Sequence, residues 1–418
     1  MAKDSTRDSS PQDSPFNRTA QHDAKRTAIL SQAARLFNTK GSRATTLLDI
    51  AESLGLTKTS LYYYVKTKEE LIYQCYMTAL DRHHKTLDEI ERQFATPVER
   101  AEAFIKAHFE NWLAAEDGKA NHIAALLEIA SLKGDHRKDV ESQYISMFIR
   151  LRQNIRDGIE DGSFRQCHST SITRALVGSM DWTFSWLNSI PVEEIPTIAD
   201  QTWDILYKGI SKAPGEYTPG PLSMNYSENP DLSGFNREAQ NRLKQEAFYK
   251  TGTWFFNKKG FNSTSLDEIA EQLNVTKGAF YYHIKNKEDL LFNCYLRSLD
   301  IMGAIYARAT KSDVTGIQKI DQTCRRIFHV QNSDQGPLVR YNTITALPRE
   351  RRREITKRTD QGNEMFGDFI REGIADGSIR DINVYVAQNL MAGATNAAMD
   401  IQLWRRVDDF DTAAIEYF

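Results

Sequence analysis

Two short stretches of this chain concentrate the side chains best suited to gripping a phosphate backbone. One reads TKTSLYYYVKTKEEL from Thr57, the other TKGAFYYHIKNKEDL from Thr276. Each opens on a threonine–lysine pair, carries adjacent tyrosines at its centre and closes on Lys-x-Lys-Glu. Lysine ammoniums and tyrosine hydroxyls donate to phosphate oxygens, and a helix N-terminus offers free N–H groups to an anion. On a helical wheel at about 100° per residue, Leu61 and Val65 face inward. Thr59 and Tyr63 then face outward, flanked by Ser60 and Tyr62. Lys58 sits at the N-terminal end, with Lys66 and Lys68 just past the C-terminal end. A tyrosine run on an amphipathic helix is often half-buried packing, and lysines beside a helix end are usually only solvated. The same ordered combination occurring twice favours the anion-binding face.

The elements that must hold these residues are legible beside them. Leu47, Ile50, Ala51 and Leu54 recur at i, i+3, i+4 and i+7, one apolar stripe of a short helix. Thr46 caps its start and Gly55 stops it. Thr57 opens the second short helix, so the pair reads as a helix-turn-helix. Leu266, Ile269, Ala270, Leu273, Phe280 and Ile284 repeat the pattern. Thr67 with Glu70 forms a capping box for a longer helix, and Asn286 caps its counterpart.

The repetition extends well beyond the motif. FNRTAQ at Phe16 returns as FNREAQ at Phe235, and the 36 residues from Gly41 return without a gap from Gly260, roughly half of them identical. IRDGIEDGSFR at Ile155 returns as IREGIADGSIR at Ile370. The unit is thus a whole half-chain, copied in tandem. Between the copies, residues 211–234 hold four of the eleven prolines, a linker composition. Apolar spacing of three and four elsewhere predicts an all-α protein. The expected order is a disordered arm (1–15), a helix-turn-helix domain (16–86), a helical regulatory domain (87–210), the linker (211–234), a second helix-turn-helix domain (235–305) and a second regulatory domain (306–418).

Charge is sorted along the chain. The net −3 of the 418 residues hides +5 between Phe16 and Thr86 and +2 between Phe235 and Asp300, leaving −10 on the rest. A phosphate backbone is drawn to the motif-bearing segments and repelled by the remainder. No apolar run approaches the roughly 20 residues of a membrane span. The four cysteines lack CxxC spacing, so a reduced cytoplasm is expected. The nine histidines lack metal-ligand spacing, and Cys167–His168 is a sequence-adjacent pair of the kind that rarely forms a catalytic couple. No catalytic residue, metal or cofactor is expected.

Both motifs resemble the DNA-binding signature of TetR/AcrR-type bacterial transcriptional regulators, approximately T-x-x-x-I-A-x-x-x-G-V-S-x-G-x-L-Y-Y-H-F-x-x-K-E-x-L. The second copy matches through Thr276, Lys277, Gly278, Phe280, Tyr281, Tyr282, His283, Ile284, Lys287, Glu288 and Leu290. The first departs at Thr59, where glycine is common, and at Tyr64, where histidine is. The resemblance covers about 50 residues of each half strongly. It implies DNA contacts from Thr46, Thr57, Lys58, Tyr62, Tyr63 and Lys68 in the first copy. In the second it implies contacts from Ser265, Thr276, Lys277, Tyr281, Tyr282 and Lys287. Thr59 with Ser60, and Gly278 with Ala279, fall where such proteins read bases.

The resemblance further implies ligand-binding and dimerisation domains in the remainder of each half. RALVGSMDWTFSWL resembles a late helix in regulators of acyl-thioester and aromatic catabolism, so an effector of either class is expected in the first half, near Trp112, Met147, Met180, Trp182 and Trp186. The second half has the smaller AGATNAAMDIQLW there, and it ends at Phe418, short of the last turns of its counterpart. The implied function is a ligand-responsive repressor on a double-stranded operator, the two halves forming an intramolecular pseudo-dimer. A transcriptional activator, or a duplicated ligand-binding or scaffold protein, are the alternatives.

Overall fold

The computed structural model describes residues 15–213, 215–222, 237–399, 401 and 404–418. Most of the expected N-terminal arm and residues 223–234 of the expected linker lie outside them. The described residues form sixteen α-helices in two sets of eight, besides short 3-10 turns, with a single isolated bridge, Ser211 to Ile379, in place of strands.

In the first set, α1 (Pro15–Lys40), α2 (Leu47–Ser53) and α3 (Lys58–Tyr64) make a head, and α4 (Lys68–Gln93) runs from it into the rest of the half. The caps fall where the sequence puts them, except that the expected box at Thr67 is half made, the Glu70 carboxylate accepting from the Lys66 N–H (2.8 Å). Thr46 and Asp49 form a reciprocal box, Thr57 accepts from the Ser60 N–H, and Thr67 accepts from the Glu70 N–H. The α2–α3 turn needs a left-handed residue, supplied by Gly55 (φ 65°). The second head, built from α9 (Arg237–Ser263), α10 (Leu266–Gln272), α11 (Lys277–His283) and the start of α12 (Lys287–Thr310), uses Asn274 (φ 52°) at that place, and asparagine tolerates this conformation better than most residues. Ile50, Ala51, Leu61 and Val65 are buried in one head, and Ile269, Ala270, Phe280 and Ile284 in the other. This apolar face fixes the rotation of α3 and α11.

The remaining helices are α5 (Pro97–Glu116), α6 (Gly134–Glu160), α7 (Ser169–Trp186) and α8 (Ile195–Lys208), answered by α13 (Gly316–Asn332), α14 (Arg349–Asp376), α15 (Val384–Ala398) and α16 (Phe410–Tyr417). The two halves meet where α7 packs on α15. There a Cβ added to Gly178 would lie 2.2 Å from the Ala397 Cβ, and one added to Gly393 would lie 2.7 Å from the Trp182 Cβ. Small residues let the two backbones approach this closely. The Ser179 hydroxyl donates to the Leu390 carbonyl (2.9 Å). At the rim of the contact Asn383 donates to Gln201 (2.7 Å), and Arg380 pairs with Asp204 (2.5 Å).

The start of the expected linker is fastened to the second half. Lys212 N–H donates to the Ser378 carbonyl (3.1 Å), and the Arg380 N–H donates to the Ile210 carbonyl (3.0 Å). The buried Arg325 guanidinium donates to the Gly220 carbonyl at 2.9 and 3.0 Å while pairing with Asp321 and Asp411.

Candidate nucleic-acid interface and effector cavity

Burial of Leu61 and Phe280 turns the tyrosines of each copy outward: Tyr63 is 70 % and Tyr282 83 % exposed. Tyr62 and Tyr281 stand exposed beside them. Thr57, Lys58, Thr59 and Ser60 on one helix, and Thr276, Lys277, Gly278 and Ala279 on the other, are all exposed around the helix N-terminus. The side chains of Thr57 and Thr276 cap their helices, so their hydroxyls are positioned before any ligand arrives. Thr46 is likewise exposed in its capping box, whereas Ser265 is half-buried and makes no side-chain cap bond.

Lys68 and Lys287 are placed differently from the rest. Lys68 Nζ donates to the Arg43 carbonyl (2.9 Å), and Lys287 Nζ to the Thr264 and Asn262 carbonyls (2.9 and 3.3 Å). Lys287 also lies over the Phe261 ring at 4.7 Å. Burial lowers the pKa of both. Their ammoniums staple the start of α4 and α12 to the turn before α2 and α10, instead of standing on the open face.

The heads also touch each other and the opposite half, through residues that sequence reading does not single out. Arg43 of the first head pairs with Glu288 of the second (3.0 Å) and stacks on Phe261 (4.1 Å). Arg352 of α14 donates to the Lys40 carbonyl (2.9 Å). Asn342 donates to the Leu127 carbonyl (2.6 Å), and Glu128 accepts from both Ser42 and Thr345. These partners lie up to 312 residues apart in the chain, so no local spacing announces them.

The regulatory halves correct one expectation. A cavity of about 360 Å³ lies in the second half, lined by Met302, Tyr306, Tyr341, Phe366, Met399 and others. In the first half Met147, Met180 and Trp186 are buried core residues, and Trp112 borders only a crevice of about 20 Å³ beside His108 and Phe184. The expected first-half pocket is occupied by the very side chains expected to line it. Trp182 points across the α7–α15 contact instead and walls the second-half cavity, its ring 5.0 Å from that of Tyr341.

The Cys167–His168 pair shows no activation. Burial raises the thiol pKa and lowers that of the imidazole, the reverse of a thiolate–imidazolium couple. Among the described residues no cluster of three or more metal-ligating side chains occurs, and no helix is long and apolar enough to cross a membrane.

Two helix-turn-helix heads, each carried on its own helical domain, define a class of regulatory protein, and comparison with known proteins agrees. The family described as "Bacterial regulatory proteins, tetR family" matches residues 29–75 and again 251–294; "Tetracyclin repressor-like, C-terminal domain" matches 95–210 and again 313–400. The chain belongs to the TetR family, with both parts of the family present twice. It is similar to the Tn10 TetC protein of Escherichia coli, 47 % identical over 60 residues, which is 14 % of this chain and only 29 % of TetC. The HTH-type transcriptional repressor KstR2 of Mycobacterium tuberculosis is 27 % identical over 197 residues, 46 % of this chain and 96 % of KstR2. Among solved structures, the TetR family regulator PfmR from Thermus thermophilus aligns at 28 % identity and a TM-score of 0.35, over 43 % of this chain and 97 % of PfmR.

Proposed function

We propose that this chain is a ligand-responsive transcriptional repressor that grips one double-stranded operator with two heads carried on a single polypeptide. The observation that carries the reading is the matched outward face of α3 and α11: paired exposed tyrosines, a capping threonine and a lysine at each helix N-terminus. Tyr62, Tyr63, Tyr281 and Tyr282 donate to phosphates, with Thr46, Thr57, Lys58, Ser265, Thr276 and Lys277 completing the clamp. Thr59–Ser60 and Gly278–Ala279 read base edges in the major groove. Lys68 and Lys287 serve the same surface by holding the turns that precede α2 and α10.

The halves act as an intramolecular pseudo-dimer. The α7–α15 contact supports this, since equivalent helices of the two copies face each other as in a two-fold interface. Tethering keeps each half at high effective concentration near the other, which favours pairing within the chain. Heads on one chain need not be identical, so the operator is an imperfect palindrome, with half-sites about 34–36 Å apart. An apolar effector, an acyl thioester or an aromatic catabolite, lowers operator affinity by favouring another separation of the heads. The protein acts in the cytoplasm and catalyses no reaction. The groups on the outward faces of both heads donate or accept hydrogen bonds, and Cys167 and His168 are tuned away from nucleophilic attack.

A gel shift on the DNA upstream of the chain's own coding region, with light scattering of the free protein, tests this. The expected result is one shifted complex from a particle of 47.8 kDa. No shift overturns DNA binding. A particle of about twice the 47.8 kDa chain mass at low concentration overturns the single-chain pseudo-dimer. A reporter that falls when the protein is removed overturns repression in favour of activation.

A further inference from the structure

The two copies can be matched residue for residue, and they differ most where an effector would sit. α12 follows α4 at a spacing of 219 residues; α14 and α15 follow α6 and α7 at 215. At these spacings the first half has His84, Met147, Phe148 and Met180 where the second has Gly303, Gly362, Asn363 and Thr395. Met147, Phe148 and Met180 are 3 %, 2 % and 3 % exposed and fill their own interior. Trp404, from the second half, closes over Phe148 at 4.4 Å. The second half is the inverse: a Cβ at Gly303 would meet nothing within 4 Å, and one at Gly362 would meet only the Tyr306 ring, at 3.2 Å.

The exchange across the α7–α15 contact is unequal too. Trp182 of the first half forms a wall of the second-half cavity. Its counterpart at the 215-residue spacing is Ala397, which is too small to do the same in return. Some polar groups at the cavity are engaged already. Arg358 pairs with Asp300 (2.6 Å), and the Asn396 side-chain oxygen accepts from the Tyr341 N–H (3.0 Å). The rest of the lining is mainly aromatic and thioether surface, with Gln361, Asn363 and Thr395 at its polar places, and the volume falls within the roughly 300–1,000 Å³ range of small-molecule pockets.

We infer that the chain has one effector site, not two: the second-half cavity, completed by Trp182 of the first half, which takes a single uncharged apolar molecule per chain. This rests on the ligand-responsive reading above and names its stoichiometry, ligand class and output. The output reaches both heads from one site. Tyr341 in the cavity wall begins a segment held to the second half by the Tyr295 hydroxyl, which donates to the Arg340 and Tyr341 carbonyls (3.0 and 3.1 Å). The same segment reaches the first half through Asn342 to the Leu127 carbonyl and Thr345 to Glu128. A molecule bound in the cavity against Trp182 and Tyr341, whose rings touch each other, therefore loads the contacts of both copies at once. The first half is a solid relay.

The uncharged naphthalene dye prodan, titrated into the full chain, tests this by energy transfer from tryptophan, with calorimetry for stoichiometry. One site per chain is expected, with transfer sharply reduced in Trp182→Phe. Gly362→Met installs the first-half residue in the second-half cavity and should weaken prodan binding by about tenfold or more, a difference within what a few lost apolar contacts are worth. Gly303→Leu, which fills the cavity rim and favours the helix, should do the same without unfolding the protein. Met180→Thr, in the first half, should leave the titration unchanged. Two equivalent sites, no saturable site, or prodan binding indifferent to both glycine substitutions would each overturn the single apolar site. One prodan per chain with operator affinity unaltered would leave the site standing and overturn the ligand-responsive reading instead.

Discussion

In the second head Lys277 donates to Asp267 at 2.6 Å, and the Tyr281 hydroxyl reaches the same carboxylate at 3.4 Å. In the first head the residue at that place is Leu48, 46 % exposed, and Lys58 lies over the Tyr62 ring at 5.7 Å with no carboxylate partner among the described residues. The outward tyrosines are kept in both copies; what surrounds them is not. Duplication on one chain thus leaves the exposed tyrosines alike while residues 59–60 and 278–279, and the charge beside them, differ. A homodimer cannot do this, because any change appears in both heads together.

The shared part should carry the largest effect. Tyr63→Ala with Tyr282→Ala removes the two most exposed aromatic hydroxyls, and hydrogen bonds to charged groups contribute about 1.5–3 kcal/mol each. Operator affinity should fall by on the order of 100-fold, on cognate and unrelated DNA alike, with the salt dependence little changed because tyrosine is neutral. Unaltered affinity, with helicity intact by circular dichroism, would break the comparison at its root.

The divergent tip should come next. Thr59→Gly with Ser60→Ala gives the first head the tip of the second. A symmetric site built from the second half-site should then bind better than the natural one, by about tenfold, within the roughly 1–3 kcal/mol a base contact discriminates. Equal affinity of the natural protein for both symmetrised sites would show that the tips have not diverged.

Local physics makes much of this legible from sequence. Caps such as Thr46, Thr57, Thr67 and Asn286 act within three residues, and the stripe that buries Leu61 and Phe280 spans a single turn. Lys68 misleads for the opposite reason: its partner is the Arg43 carbonyl, 25 residues back, across a turn whose path no periodicity records. The cavity misleads in another way. Tryptophans and methionines in the first half look like pocket lining, yet large side chains fill space, and the small residues of the second half leave it. One wall of that hollow, Trp182, comes from the other copy across the α7–α15 contact, between segments some 215 residues apart. The Pro/Gly stretch after residue 210 reads as free linker because nothing in it shows that Arg325, 105 residues on, holds the Gly220 carbonyl.

The smallest expected effect sharpens the comparison furthest, because it concerns one carboxylate. Lys277 must leave Asp267 to reach a phosphate, and the fixed negative charge itself repels DNA. Exposed pairs of this kind are weak, so Asp267→Leu should raise affinity for the second half-site only about two- to fivefold, and Leu48→Asp should lower that for the first by a similar factor. The salt slope is the cleaner readout. Lys58→Ala should flatten it by about one ion, whereas Lys277→Ala should flatten it less until Asp267 is also removed. The pH dependence follows from the hydrogen bond that Lys277 donates, which holds the Asp267 carboxyl below its ordinary value and raises the lysine. The pair is therefore intact from the ordinary carboxylate range up to the lysine range; it is lost as pH falls through the lowered carboxyl value or rises through the raised lysine value. Between about pH 6 and 8, well above the ordinary carboxylate range, the affinity ratio of the two half-sites should stay flat, and Asp267→Asn should shift that ratio equally across the window. A wild-type ratio that changes within that window, in a way Asp267→Asn abolishes, would show that this carboxylate titrates there and that the latch is not the one described.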